Sequence, residues 1–421
     1  MNINRTKFPG FEQHSFRISV KLQQTTIQML SACRSSFVTA IILCFALSSR
    51  AQIGGDNSYE SLNLVTSARV SGLGGTVLAI KDDDLDMAWY NPSLLNETMH
   101  NHLVVSYMDH VSDIKIASSM YSYTHKKFGS FSGGIQYMHY GTFQEYDETG
   151  LFLRLFTAQD LVVNLGWGTA VSPKINVGTS EERTLDSMFF IGANFKFINS
   201  SYHFDYSSFG VAIDLAGTYY NKKSDYVVAL VIKNLGTQIK PYIPDSREPL
   251  PFEVQAGITK KLLHAPFRLM LHAQHLEKWD LTYVNPNLTS TSLEPAEEDT
   301  LLFQKIGSNV SGFTDKLLSH AVFGTELVIT DNFHVRLGYN YLKRKELKNI
   351  TKKGTAGFSI GVGMKISKFD FSYSRSSFHL AGGSNQFTIR TSLSDFKSKD
   401  TPTDPVTGAM PDPTLDPAKS E

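Results

Sequence analysis

The feature that most restricts this chain is a two-residue period carried through runs of unusual length. Phe189, Ile191, Ala193, Phe195 and Phe197 alternate with Gly192, Asn194 and Lys196; Phe209, Val211, Ile213 and Leu215 alternate with Gly210, Ala212 and Asp214. Phe252, Val254, Ala256 and Ile258 oppose Glu253, Gln255 and Gly257, and Val335, Leu337, Tyr339 and Tyr341 oppose Arg336, Gly338 and Asn340. Phe358, Ile360, Val362 and Met364 repeat the pattern against Ser359, Gly361, Gly363 and Lys365. Successive side chains of a strand point to opposite faces, so each run has one apolar and one polar side. The period predicts about fourteen strands, near 101–109, 112–124, 128–140, 156–173, 186–199, 206–220, 224–235, 250–263, 266–277, 317–330, 332–342, 354–366, 368–378 and 385–395.

Most of these are about 10 to 15 residues, longer than an average soluble strand and sufficient for a tilted membrane strand. The connections carry independent information. Tight turns follow at 125–127, 221–223, 264–265, 331 and 367–368, whereas 141–155, 236–249, 278–316 and 343–353 read as long loops. Short turns at one end and long loops at the other mark an up-and-down membrane barrel. Two connections depart from the rule: 174–185 is long on the short side and the first loop is short on the long side. A soluble β-sandwich also alternates, but with shorter strands and turn signals every 8 to 12 residues or so.

The expected fold class is therefore all-β, an up-and-down antiparallel transmembrane barrel of about fourteen strands, spanning 101–396. Its apolar faces meet lipid, and Asn194, Lys196, Asp214, Glu253, Arg336, Asn340, Asp370, Arg375 and Arg390 face the lumen. Composition agrees: aromatic residues make up 12%, with 28 Phe, 18 Tyr and 30 Gly, a mix suited to strands and tight turns. With 19% charged residues and a mean hydropathy of −0.17, a multi-span helical membrane protein is excluded. Forty basic residues balance forty acidic ones, so nothing favours a nucleic-acid partner.

The apolar run Phe37–Leu47, with Arg34 before it and Ala51 after it, reads as a secretory signal peptide. The polar stretch in front is too long for a normal leader, so translation is expected to start at Met29 and cleavage to follow Ala51. Ile42-Leu43-Cys44 lacks the small residues expected before a lipidated cysteine. Both cysteines, Cys33 and Cys44, fall in the part to be removed, and a thiol-free exported chain of this size suits a barrel closed by its own hydrogen bonds. Residues 52–100 lack the two-residue period and are the expected hatch in the lumen, because fourteen strands enclose more space than lining side chains fill. Residues 397–421, rich in Pro and Asp, read as a disordered periplasmic tail.

Catalytic signatures are sparse. Asp82, Asp84 and Asp86 have the spacing that opens a calcium loop, but Met87 and Ser93 stand where such a loop needs Gly and Glu, so capping of a turn is the expected role. Gly72-Leu73-Gly74-Gly75 resembles half of a dinucleotide fingerprint without its last glycine or its βαβ unit. His272 and His275 fall on opposite faces of one strand and cannot share a metal. No G-x-S-x-G, H-E-x-x-H or P-loop occurs, and no enzyme, cofactor or metal is expected. The long loop 278–316 mixes acidic residues with Trp279, Tyr283, Leu301, Leu302 and Phe303, which makes it the expected partner-binding surface.

Several segments also carry a family resemblance. Ser67-Ala68-Arg69-Val70-Ser71-Gly72-Leu73-Gly74-Gly75, the run Asp82-Asp83-Asp84, and Tyr90-Asn91-Pro92-Ser93-Leu94-Leu95 resemble the N-terminal hatch of the FadL-like barrels, including the PorV family of the type IX secretion system. Residues 133–137, 206–210, 231–238, 247–252 and 264–268 resemble the PorQ branch of that family, and the likeness extends from about 52 to 396. It assigns Gly72, Gly74, Gly75, Asp82, Asp83, Asp84, Asn91 and Pro92 to a structural hatch motif. What it implies is a non-enzymatic outer-membrane component of protein secretion. Such a barrel holds the surface protein PorZ, and through it the cell-surface attachment complex with PorU and PorV, which joins cargo to lipopolysaccharide among the outer-membrane lipids. The alternative within the same resemblance is a FadL-like transporter of hydrophobic small molecules, and the charged lumen positions lean against a greasy channel.

Overall fold

The computed structural model describes residues 57–171, 187–281, 313–347, 355–379 and 382–396. The expected signal peptide and C-terminal tail lie outside these residues. Fourteen strands follow in order: β1 His102–Asp109, β2 Lys115–His125, β3 Gly129–Tyr146, β4 Phe152–Val171, β5 Ser187–Ser201, β6 Ser207–Asn221 and β7 Tyr226–Lys240. Then come β8 Glu253–Lys261, β9 Phe267–Ala273, β10 Ala321–Thr330, β11 Phe333–Asn340, β12 Phe358–Ile366, β13 Phe369–His379 and β14 Gly382–Ser392. Each pairs antiparallel with its sequence neighbour, and β1 closes on β14 from His102↔Ser392 to Asp109↔Asn385. Closure leaves no unpaired edge, which is the condition for a sheet to cross a hydrocarbon layer.

The distribution of side chains is inverted relative to a soluble protein. Ile135, Leu165, Leu230, Leu337 and Ile360 point outward and are exposed, whereas Asn164, Asn194, Asp214 and Glu326 point inward with 0% exposure. Water would penalise so much apolar outer surface, and lipid does not. The fold is that of an outer-membrane β-barrel.

Several boundaries differ from the sequence expectation, each for a local reason. The stretch 141–155 is not a long loop: β3 continues to Tyr146 and β4 begins at Phe152, so the two form a tall hairpin. Asp147 closes its tip by accepting from the backbone N–H of Thr149 (2.9 Å) and Leu151 (2.8 Å). Likewise β7 runs on through Lys240 into the expected loop 236–249. The loop 343–353 opens with a short helix, Tyr341–Glu346, whose N-cap Asn340 accepts from Lys343 N–H. Residues 313–320 are helical, which delays β10 to Ala321. The expected connection 174–185 lies outside the described residues.

One lumen assignment is corrected. Arg375 shares the outward parity of Phe371 and Tyr373, and its Nη1 donates to outward Asn385 (3.2 Å). It stands near the loop end of β13, where a long cationic side chain on the lipid face can reach the aqueous boundary.

Inside the barrel, residues 57–100 form an insert of short helical turns. The helix Ala68–Gly72 packs against β11 to β14, Leu85–Trp89 against β1, β2 and β4, and Pro92–Leu94 against β4 to β6. Leu73, Leu78, Trp89, Leu94 and Leu95 meet Met120, Val162, Ile198 and Val231 of the wall in one apolar core. A lumen lined only by polar residues would stay wet, so these inward apolar side chains supply the packing that holds the insert.

Candidate functional site

The insert enters the barrel wall where the wall lacks side chains. Pro92 occupies the first turn of its 3-10 helix, a position its fixed φ suits. A Cβ on Gly192 would stand 2.4 Å from Pro92 C, and one on Gly168 would stand 2.4 Å from Pro92 O. Glycine is required at both for backbone to lie on backbone. Gly72 meets Gly361 in the same way, 3.1 Å from its added Cβ to Gly361 Cα. Gly74 and Gly75 have φ of +103° and +92°, a conformation that turns the chain sharply after the helix and that other residues rarely adopt.

Asn91 then fixes the turn. Its Nδ2 donates to Leu78 O (2.7 Å) and Thr218 Oγ1 (3.0 Å), while its Oδ1 accepts from Ser93 N–H (3.0 Å) and Ser93 Oγ (2.6 Å). All four bonds of the amide are made at 0% exposure. Tyr90 Oη accepts from Ser67 N–H (3.2 Å), tying this turn to the helix that Ser67 caps.

Charge does the rest. Arg69 donates to Asp82 (2.7 Å) and Asp84 (3.0 Å) within the insert and to both oxygens of Glu326 on β10. Glu326 stands directly across from Arg268 on β9 and Arg336 on β11, and pairs with both. Arg390 of β14 joins Asp83 (3.4 Å), Asp84 (3.5 Å) and Asp370 (2.8 Å). The result is one network of four arginines and five carboxylates across the turn end of the lumen. Burial pushes the Asp82 carboxyl up, but the Arg69 and Arg268 guanidiniums prevail and hold it well below the ordinary carboxylate range.

Two insert groups are shifted the other way. Burial, reinforced by Asp84, pushes Asp86 up to about 7. Burial pushes Lys81 down to about 7, opposed only by Asp82; its Nζ donates to Leu94 O (3.0 Å) and lies 3.8 Å from the Phe190 ring centroid. The three aspartates with calcium-loop spacing therefore diverge: Asp82 and Asp84 face guanidiniums, Asp84 also caps the turn at Asp86 N–H (3.2 Å), and Asp86 accepts from Ser106.

Gly72, Gly74, Gly75, Asp82, Asp83, Asp84, Asn91 and Pro92 thus all lie in the insert inside the barrel, Gly72 and Gly74 against β10 to β13 and Pro92 against β4 to β6. Glu326 and Arg268, the wall partners of this group, were not singled out from sequence, although both lie on the polar face of their strands. Of the expected partner-binding residues, Trp279 is described: it is exposed, and its ring lies beside Phe313 (5.7 Å) and stacks on His320 (5.8 Å). Tyr283, Leu301, Leu302 and Phe303 lie outside the described residues.

A second apolar surface at the loop end escaped the sequence reading. Phe143, Tyr146, Leu151, Phe152, Leu153 and Leu155 on the tall β3–β4 hairpin are all exposed, and Phe143 stacks on Phe156 at 5.4 Å. At 18 and 20 residues these strands are about twice what a bilayer needs.

No protein-family model matches the chain, and no curated protein matches it. Among solved structures it is similar in fold to the Pseudomonas putida toluene transporter TodX, with a TM-score of 0.42 and 10% identity over 81% of this chain and 98% of that one. A Pseudomonas aeruginosa FadL homologue gives 0.40 and 9%, covering 78% and 98%, and the Ralstonia pickettii toluene transporter TbuX gives 0.38 and 11%, covering 77% and 96%.

Proposed function

We propose that this barrel is a sealed outer-membrane platform that binds a protein partner at its loop end. The observation that carries the reading is the tall β3–β4 hairpin, whose apolar side chains stand exposed beyond the length a bilayer would cover. The insert supports it, because ion pairs and a packed apolar core hold it against the wall. On the sequence resemblance the partner is PorZ, with PorU and PorV assembled through it, and exposed Trp279 offers it a separate loop-end contact.

A second reading is passage of a hydrophobic small molecule, the activity named for the similar TodX and TbuX structures. The apolar contact between insert and wall supports it, since a shift of the insert would open a greasy seam there. A mild-detergent pull-down of the tagged protein from outer membranes separates the two. Recovery of PorZ, PorU or PorV, lost when Phe143 and Phe152 are both changed to Ser, supports the platform. Recovery of the barrel alone with fatty or aromatic molecules bound, together with uptake of a fluorescent fatty acid by liposomes containing it, rejects the platform in favour of transport.

A further inference from the structure

Among the described residues, the lumen-facing strand carboxylates Asp214, Glu253, Glu326 and Asp370 each lie against a basic side chain. Asp214 pairs with Lys196, Glu253 with His275, Glu326 with Arg336 and Asp370 with Arg390. Asp160 of β4, 1% exposed, makes no ion pair with any of the described residues. Its partners are hydroxyls. Tyr140 Oη donates to Oδ2 at 2.7 Å, Ser200 Oγ donates to Oδ1, and Tyr242 Oη donates to Ser200 Oγ at 2.5 Å. Burying a carboxylate without a counter-charge is costly, and two hydroxyls return only part of that cost.

The surroundings are aromatic. Tyr140 meets Tyr202 edge-on at 5.6 Å between centroids, Tyr202 stacks on Tyr242 at 5.2 Å, and Tyr242 lies 6.1 Å from Tyr59. Tyr140 and Tyr242 are half-buried and Tyr202 is 36% exposed, so the cluster opens toward the loop end, where β5 finishes at Ser201. Ring faces present negative charge to a cation, and the carboxylate at the hydroxyl edge of Tyr140 adds to the same field. Because both Asp160 oxygens already accept a hydroxyl, the remaining attraction is charge and ring face more than hydrogen bonding. That combination favours an alkylated ammonium over a strongly hydrated metal ion.

We propose that Asp160 and the tyrosines Tyr140, Tyr202 and Tyr242 form a binding site for an organic ammonium group at the loop-end mouth of the barrel. The site is independent of whether the barrel serves as platform or transporter. The test is calorimetric titration of the detergent-solubilised full-length protein with choline and, separately, with its uncharged isostere 3,3-dimethylbutan-1-ol. Saturable choline binding is expected, with the isostere weaker by about tenfold or more. Asp160→Asn and Tyr202→Leu should each weaken choline by about tenfold while the barrel keeps its heat-modifiable migration on gels. Absence of saturable choline binding to the wild type, equal binding of the isostere, or unchanged choline binding by a folded Asp160→Asn variant would each overturn the assignment.

Discussion

Arg69 and Glu326, 257 residues apart in the chain, form a two-bond pair in the lumen: Nε to Oε1 at 3.2 Å and Nη2 to Oε2 at 3.0 Å. The glutamate has 0% side-chain exposure and also faces Arg268 and Arg336, so among the described residues it is the one negative group shared by three guanidiniums.

Removing the hub and removing a spoke should therefore differ. Glu326→Gln leaves three arginines crowded around a neutral group and should cost about 3–5 kcal/mol, the usual penalty for stranding buried charge. Arg69→Met leaves Glu326 two cations and should cost less, acting chiefly on the insert. Guanidinium unfolding in detergent measures the first, and protease release of residues 57–100 measures the second; equal effects of both variants on both readouts would refute the hub.

The Lys196–Asp214 pair, at 2.7 Å with both side chains buried, allows a cleaner separation of terms. A bulge in β7 sets Lys233 and Asn234 opposite Asp214, and Asn234, at φ +57°, donates its N–H to Asp214 (2.8 Å) and accepts at Oδ1 from Lys196 Nζ (2.9 Å). Lys196→Met alone should destabilise by about 3–5 kcal/mol, whereas Lys196→Met with Asp214→Asn should cost less than the two single changes added together. A double-mutant cycle on unfolding midpoints gives the coupling.

Glycines that look alike in sequence should respond differently to alanine. At Gly192 the new methyl would meet Pro92 and Ser93 backbone atoms at 2.4 Å, so Gly192→Ala should weaken insert docking by about 1–3 kcal/mol. Gly217 has nothing within 4 Å of its added Cβ, and Gly217→Ala should be neutral. Protease sensitivity of the insert in the two variants is the comparison.

Docking of the insert should depend on pH with a minimum near 7. The Asp86 carboxyl is raised to about 7, so the docked state holds a proton that the free segment releases above about 4, and stability falls as pH rises from 4 to 7. The Lys81 amine is lowered to about 7, so above that the free segment holds the extra proton, and stability rises from 7 toward 10. Asp86→Asn should flatten the acid limb and Lys81→Met the alkaline limb of a proteolysis profile; an unchanged profile in both variants would refute this origin.

How much could be read in advance depends on the range of the interaction. Fourteen strands and their facing were legible because side-chain alternation is local and lipid enforces it along the whole wall. Arg375 was misplaced because parity at a barrel rim does not exclude a cation that reaches water. The height of the β3–β4 hairpin was missed because Gly141, Asp147 and Gly150 are turn-forming residues, and only pairing across the hairpin, with Glu145 against Arg154, extends the ladder past them.

Sequence alone determined the closed all-β class, the strand count and the aperiodic segment that had to go somewhere, since all three follow from local period and length. It also marked the glycines and aspartates of residues 72–92. Tertiary structure decided the partners: that Pro92 lies on Gly168 and Gly192, that Arg69 reaches Glu326, and that Asp160 sits among tyrosines with no ion pair among the described residues. Those relations join residues tens to hundreds of positions apart, and only closure of the barrel brings them within the few ångströms over which packing and charge act.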